Sequence, residues 1–262
     1  MNDTAVPDPE YLLKYGDPRM EKYPFMKDPS TTFILVAIYL LFVKVVGPLW
    51  MRNRPPYEFR NFMIVYNLLT SALNAWVFFH FAYRWITKYS WRCEPIDFSH
   101  NEDALKMVLV CWLFFASKFL EFADTIFAVL RKKSSQVSKL HVFHHSIAPS
   151  LIWYAVKFGP GGYGTILMML NSFVHIWMYL YYGLAAVGPK IQKYLFWKKY
   201  VTLLQLAQFV TSIVFWIQAY FFPPADCPVS TFLFGINMFL SVTFFILFIN
   251  FYMTTYKKRK GN

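Results

Sequence analysis

Seven long apolar stretches follow one another along this chain and restrict the folds open to it. Most approach or exceed the roughly 20 residues that a helix needs to cross the hydrocarbon core of a bilayer. With 57% hydrophobic and only 15% charged residues among 262, the chain is too apolar for a cytosolic enzyme, a coiled coil or a disordered protein. We predict a single all-α polytopic membrane domain over residues 1–262, with seven transmembrane helices. The stretches are Phe33–Trp50, Phe62–Tyr83, Met107–Leu130, Val142–Phe158, Tyr163–Val187, Tyr200–Phe222 and Val229–Tyr256.

The charges between these stretches predict their orientation. One alternating set of loops contains fifteen basic residues and a single acid, Glu58, whereas the other contains eight basic and eleven acidic residues. Because basic loops stay in the cytosol, we place the C-terminus, with its basic tail 257–262, in the cytosol. The N-terminal segment 1–32 is then lumenal or extracellular.

Two further features agree with that orientation. Asn2-Asp3-Thr4 is a glycosylation acceptor, which is used only on the lumenal side. Cys93 and Cys227 both fall in predicted lumenal loops, where an oxidising compartment allows a disulfide; two free thiols are the alternative. Cys111 lies inside a stretch and is interpreted as a small packing residue.

Polar residues inside the apolar stretches form a pattern. Polar groups are costly in a membrane, so each needs a reason. Their spacing places those of each stretch on one helix face, and the predicted orientation brings all four faces into the cytosolic half of the membrane. His175, for example, is twelve residues into the fifth stretch, about 18 Å along the helix. The four sets are Lys118, Glu121, Asp124 and Thr125; His141, His144 and His145; Asn171, His175, Tyr179 and Tyr182; and Thr202, Gln205 and Gln208.

Structural explanations stand beside the functional ones. Lys118 and Glu121 fit an ion pair that neutralises two buried charges. Tyr179 and Tyr182 also fit ordinary interfacial aromatics. Amides such as Asn171, Gln205 and Gln208 often hold membrane helices together, which is the interpretation we favour for Gln208. His80 and His100 have no motif around them and are interpreted as structural.

The sequence His141-Val-Phe-His144-His145 has two chemical interpretations. A membrane di-iron desaturase or hydroxylase carries several such boxes, but this chain has six histidines and one box, so we predict no metal site. The other interpretation is metal-free acid–base or nucleophilic catalysis by imidazole. A proton-coupled transporter also uses intramembrane ionisable residues, but these cluster on one side here, without the internal repeat of many transporters.

These motifs, in this order, resemble the four signature motifs of the very-long-chain fatty acid elongases. They are Lys118-x-x-Glu121-x-x-Asp124-Thr125, His141-Val-Phe-His144-His145, Asn171-x-x-x-His175-x-x-Met178-Tyr179-x-Tyr181-Tyr182 and Thr202-x-x-Gln205-x-x-Gln208. The resemblance covers nearly the whole chain. The residues around the histidines, with Phe143 inside the box, look most like the branch that favours saturated and monounsaturated chains.

The resemblance implies a fold of seven helices, six of them ringed around an acyl tunnel, and an enzyme of the endoplasmic reticulum. The activity it implies is a 3-ketoacyl-CoA synthase, which condenses a long-chain acyl-CoA with malonyl-CoA and releases CoA and carbon dioxide. No cofactor beyond these substrates is implied. The reductases and dehydratase of an elongation cycle are the expected partners, a homo-oligomer is left open, and no nucleic acid is expected. Lys258 and Lys260 resemble a dilysine retrieval signal.

Our mechanistic hypothesis assigns roles to these residues. His144 accepts the acyl group as an acyl-imidazole, while His141, His145 and Asp124 orient and tune the imidazoles. Asn171 and His175 stabilise developing oxyanions. A general-base role for the histidines is the alternative. We expect the remaining motif residues and two lysines at the cytosolic mouth to bind substrate, although these lysines also fit a purely topological role. The substrate-binding set is Lys118, Glu121, Tyr179, Tyr181, Tyr182, Lys198, Lys199 and Gln205.

Overall fold

The computed structural model describes residues 9–225, 227 and 229–257, and over these residues the chain is helical with no strand. The α-helices are α1 Pro9–Tyr15, α2 Ser30–Leu41, α3 Gly47–Met51, α4 Arg60–Thr87, α5 Glu102–Leu120, α6 Phe122–Leu130, α7 Lys139–Phe158, α8 Thr165–Val187, α9 Pro189–Gln192, α10 Lys198–Phe221 and α11 Thr231–Tyr252. Short 3-10 turns cover Pro18–Met20, Ser134–Gln136 and Gly162–Gly164, and π-helical turns cover Phe42–Val46 and Met253–Lys257.

Four helices of the described chain are long and apolar enough to cross a membrane: Ser30–Met51, Arg60–Thr87, Lys198–Phe221 and Thr231–Tyr256. The first of them joins α2, a π-helical turn and α3 into one rod. The architecture is therefore that of a polytopic helical membrane protein. The long helices outside this group, namely α5 with α6, α7 and α8, carry most of the polar motif residues. Seven membrane crossings and their orientation stay predictions.

Six long helices close a ring. Around it, α4 packs on α5, α5 on α7, α7 on α11, α11 on α10, α10 on α8, and α8 on α4, the last pair making the most extensive contact. The α2 helix lies outside the ring against α7. The six helices therefore surround a common interior.

The two faces of helix α4 show how the ring of helices is adapted to a lipid environment. Its Asn67 and Asn74 are buried, whereas Leu69 and Phe79 point outward with 66% of their surface exposed. Ser71 donates its hydroxyl to the carbonyl of Ile176 on α8 at 3.0 Å. Polar groups thus face a neighbouring helix and apolar ones face outward, as expected for helices that associate in lipid.

The loops predicted to be lumenal meet at one end of the bundle. A disulfide joins Cys93 to Cys227, and Arg19 donates to the carbonyl of Ser99 at 2.5 Å. Lys157, at the end of α7, pairs with Glu21 at 3.2 Å. We call this the disulfide end. Asn2, Lys258 and Lys260 lie outside the described residues, so the predictions made for them stay untested.

Candidate active site

A narrow cavity of about 40 Å³ lies inside the ring of helices and is lined by α5, α7, α8, α10 and α11. Along α7, the lining residues His144, Ala148, Ile152 and Ala155 follow one face over eleven residues, about 16 Å. Apolar side chains dominate the lining, and its polar members are Lys118, His144, Asn171, Gln208, Asn237 and Ser241. The cavity therefore combines an apolar channel with a small set of chemically active groups.

Four motif residues form a closed ring of hydrogen bonds beside the cavity. Lys118 Nζ donates to Glu121 Oε1 at 2.6 Å and to Asn171 Oδ1 at 3.0 Å. Asn171 Nδ2 lies 3.3 Å from His175 Nε2, and His175 Nδ1 lies 3.0 Å from the same Glu121 oxygen. We call this the Lys–Glu–His–Asn ring. Lys118 is 3% and Glu121 1% exposed, so their pairing is what allows two charges to be buried together.

The Lys–Glu–His–Asn ring determines which of its N–H groups remain free to donate a hydrogen bond. A carboxylate only accepts, so His175 must carry its proton on Nδ1 toward Glu121, and its Nε2 must accept from Asn171. Both nitrogens of His175 are then engaged. Our expectation that His175 stabilises an oxyanion stays a prediction; in the described structure its two ring nitrogens contact Glu121 and Asn171. Among the described residues, Lys118 and Asn171 each keep one N–H without a hydrogen-bond partner, and both line the cavity.

The three imidazoles of the box lie close together on α7, but only one lines the cavity. The ring centroid of His145 lies 4.3 Å from that of His141 and 5.2 Å from that of His144. His145 is buried, and His144 lines the cavity and packs 4.7 Å from Phe244. The structure thus selects His144 as the imidazole that shares the cavity with Lys118 and Asn171.

Asp124 does not have the partner that the sequence suggested. The third apolar stretch is interrupted at Glu121, where α5 ends and α6 begins. Beyond this point, Asp124 accepts a hydrogen bond from the Tyr179 hydroxyl at 2.7 Å, and Thr125 bonds to Tyr39 on α2 at 2.9 Å. In the described structure it is Glu121, not Asp124, that is hydrogen-bonded to a histidine.

The expected substrate-binding residues separate into two groups. Tyr179 is fully buried against Asp124, and Glu121 lies behind the cavity wall. Gln205 donates to the sulfur of Met178 at 3.7 Å. Near the surface, the Tyr181 ring lies 5.3 Å from that of Trp197. This places Tyr181, beside the half-exposed Tyr182, next to the exposed lysines Lys198 and Lys199 at the start of α10.

Sequence reasoning missed the part of the cavity wall that α11 forms. Asn237 and Ser241 line the cavity from α11, and no motif marks them. Gln208 was interpreted as a link between helices, yet it lines the cavity, and its Oε1 lacks a hydrogen-bond partner. Its third-residue spacing from Gln205 was the only signal in the sequence. Within the described residues, no cluster of three or more His, Cys, Asp or Glu side chains is arranged to hold a metal ion.

These features define a class: a polytopic helical membrane protein whose helix ring encloses an apolar cavity with a histidine and a buried lysine–carboxylate pair in its wall. Residues 24–262 match the model of the GNS1/SUR4 (ELO) family. The chain belongs to this family, which confirms the resemblance seen in the sequence motifs.

Curated relatives support the assignment over most of the chain. The chain is 45% identical over 250 residues to "Very long chain fatty acid elongase 1" of Mus musculus, covering 95% of this chain and 89% of the relative. The human protein of the same name is 44% identical over 250 residues, with the same coverage. "Very long chain fatty acid elongase AAEL008004" of Aedes aegypti is 47% identical over 253 residues, covering 95% of this chain and 70% of the relative.

Proposed function

We propose that this protein is the condensing enzyme of very-long-chain fatty acid elongation, a 3-ketoacyl-CoA synthase that joins a long-chain acyl-CoA to malonyl-CoA. One observation carries the proposal. His144 lines the same cavity as Lys118 and Asn171, and the rest of that cavity is mostly apolar. A nucleophile, two donors and an alkyl channel are what an acyl thioester requires. The names of the relatives support the choice of pathway.

The first step transfers the acyl group to the protein. A ring nitrogen of His144 attacks the thioester carbonyl, the carbon–sulfur bond breaks, and CoA leaves as the thiol with the proton that the imidazole gives up. Negative charge develops on the carbonyl oxygen. The free N–H groups of Lys118 and Asn171 are placed to stabilise it, because the Lys–Glu–His–Asn ring holds both in the cavity wall.

The second step forms the carbon–carbon bond. Malonyl-CoA loses carbon dioxide, and the resulting enolate attacks the acyl carbon. The bond from that carbon to the imidazole nitrogen breaks, the nitrogen takes up one proton from water, and neutral His144 and 3-ketoacyl-CoA result. We assign the ammonium of Lys118, which lines the cavity, to stabilising the enolate oxygen. Meanwhile the alkyl chain lies along Ala148, Ile152 and Ala155, where it removes apolar surface from water.

The CoA headgroup is assigned to the exposed end of α10. CoA carries several negative charges, which Lys198 and Lys199 can pair with, while Tyr181 and Tyr182 offer aromatic faces for the adenine. The proposed cell location is the endoplasmic reticulum membrane, with the reductases and dehydratase of the cycle as partners. No cofactor beyond the two CoA substrates is proposed.

The test is a condensation assay on the protein purified in detergent, with long-chain acyl-CoA and carbon-14 malonyl-CoA. We expect a 3-ketoacyl product two carbons longer from the wild type, none from His144→Ala, and near-normal product from His80→Ala, whose imidazole lies outside the cavity. Without malonyl-CoA, a labelled acyl group should accumulate on the wild type but not on His144→Ala.

Two results would contradict parts of this proposal. Product formation without any acyl adduct would favour the general-base role of the histidines. Oxygen-dependent desaturation by protein containing stoichiometric iron would replace the condensing enzyme with the desaturase.

A further inference from the structure

Gln208 is a buried amide without a partner in the wall of the cavity. Its side chain is 5% exposed, and its Oε1 forms no hydrogen bond in the described structure. A buried acceptor left unpaired is destabilising. Because the residue lines the cavity, and the last torsion of a glutamine side chain is broad and roughly two-fold, its amide can turn to meet a bound molecule.

The depth of Gln208 matches that of His144. The ring of its neighbour Phe209 lies 6.0 Å from Phe244 and 5.6 Å from Phe248. His144 packs against the same two rings, at 4.7 and 6.4 Å. The amide on α10 and the imidazole on α7 are therefore at one level of the cavity.

The chemistry of Gln208 restricts what it can bind. Its oxygen needs an N–H or O–H donor, and its own N–H groups need an acceptor. Neither an alkyl chain nor a thioester offers a donor. In an acyl-CoA, the hydrogen-bond donor closest to the sulfur is the secondary amide that an ethylene group separates from it. This amide has one donor and one acceptor, and so complements a glutamine side chain.

We propose that Gln208 binds the secondary amide of the acyl donor's thioester arm and thereby positions the thioester carbonyl against His144. This inference rests on the proposed condensation and assigns Gln208 a positioning and specificity role in it. The amide pairs with the arm, and the Lys–Glu–His–Asn ring and His144 contact the reacting carbonyl. Gln208 thus selects a thioester carried on an amide-bearing arm over one that is not.

The experiment tests whether the side chain of Gln208 recognises the N–H of the amide next to the sulfur in the acyl donor. The acyl donors are a long-chain acyl-CoA and its analogue in which an ester oxygen replaces the N–H of the amide next to the sulfur, each assayed with ordinary malonyl-CoA. The proteins are the wild type, Gln208→Leu and Gln218→Leu. Gln218 lies on the same helix but is exposed, which makes it the matched control.

We expect the wild type and Gln218→Leu to prefer the amide donor by about tenfold in kcat/KM, because the ester leaves Oε1 unpaired. Gln208→Leu should use both donors about equally. The ratio is read within each protein, so incomplete folding of one variant does not distort it. Gln208→Met provides a second reading with an unbranched apolar side chain.

Two results would overturn the inference: a wild type indifferent to the substitution, or a Gln208→Leu protein that keeps the wild-type preference. Each presupposes that the wild type elongates ordinary acyl-CoA. Absence of that activity would instead reject the proposed function.

Discussion

The Nδ1 of His175 lies 3.0 Å from the Oε1 of Glu121, the same oxygen that accepts a hydrogen bond from Lys118. This bond gives His175 a structural task, since its other nitrogen faces Asn171. The carboxylate thereby organises both groups that reach the cavity. The wall of the site is rigid because each member of the ring is held by two others, and such preorganised donors are what oxyanion stabilisation needs.

Glu121→Gln is expected to destabilise the protein strongly. The substitution keeps the shape but removes the negative charge beside a buried ammonium, and breaking a buried pair costs about 3–5 kcal/mol. The matched control is Glu21→Gln, because Glu21 pairs with the equally buried Lys157 but its own side chain is 46% exposed. That change should cost less than about 1 kcal/mol. Thermal unfolding in detergent measures both, and equal losses would contradict the structural role of the ring.

Tyr179→Phe is expected to lower stability by about 1–3 kcal/mol, because Asp124 would lose the hydroxyl that donates to it at 2.7 Å. Tyr182→Phe is the control, since the Tyr182 hydroxyl makes no hydrogen bond within the described part of the chain and the side chain is 37% exposed. Thermal unfolding of both variants provides the comparison. A Tyr179→Phe protein as stable as Tyr182→Phe would show that the bond to Asp124 contributes little.

Under the proposed function, bulk added along α7 should shorten the acyl chain that the enzyme accepts. Ala155 lies eleven residues from His144, about 16 Å, whereas Ala148 lies only one turn away. Ala155→Phe should therefore shift products toward shorter chains, and Ala148→Phe should stop elongation of nearly all long chains. Ala207→Phe, at an exposed position, should leave the product lengths unchanged. Gas chromatography of the products tests this order, and an unshifted profile for Ala155→Phe would place the chain elsewhere.

Two carboxyl groups at the disulfide end should respond to pH with opposite signs. Burial raises the pKa of Glu94 above its ordinary value. Stability therefore falls as the pH rises from the ordinary pKa of Glu94 to its raised value in the folded protein. At Asp97 burial acts upward too, but hydrogen bonds from Ser99 and Asn101 prevail and lower the pKa. Stability from Asp97 is therefore present above its ordinary pKa and is lost as pH falls toward the folded-state value.

Matched amide variants separate these effects. Melting temperatures are measured at about pH 7 and about pH 4 for Glu94→Gln, and at about pH 7 and about pH 2 for Asp97→Asn, so that each pair of values spans the window of its group. The melting temperature of Glu94→Gln, relative to that of the wild type, should be higher at the higher pH, because the variant removes a carboxylate that resists ionisation. The melting temperature of Asp97→Asn, relative to that of the wild type, should be lower at the higher pH. The same sign for both variants would refute the assignment.

Much of the architecture follows from the sequence alone. Runs of apolar residues long enough for a bilayer, interrupted by charged loops, specify a helical membrane protein without reference to any partner helix. The spacing of three and four residues also places Lys118 beside Glu121, and Asn171 beside His175, because a helix fixes such neighbours locally. The order of the motifs identifies the family.

Only the tertiary structure decides which neighbours meet across helices. It assigns Glu121 rather than Asp124 to His175, buries Tyr179 away from the surface, and singles out His144 from three adjacent imidazoles. It also turns Gln208 from a presumed link between helices into an unpaired amide of the cavity. These pairings depend on how six helices rotate and slide within the ring. Helix periodicity fixes the faces of each helix but contains no information on which face of another helix it meets.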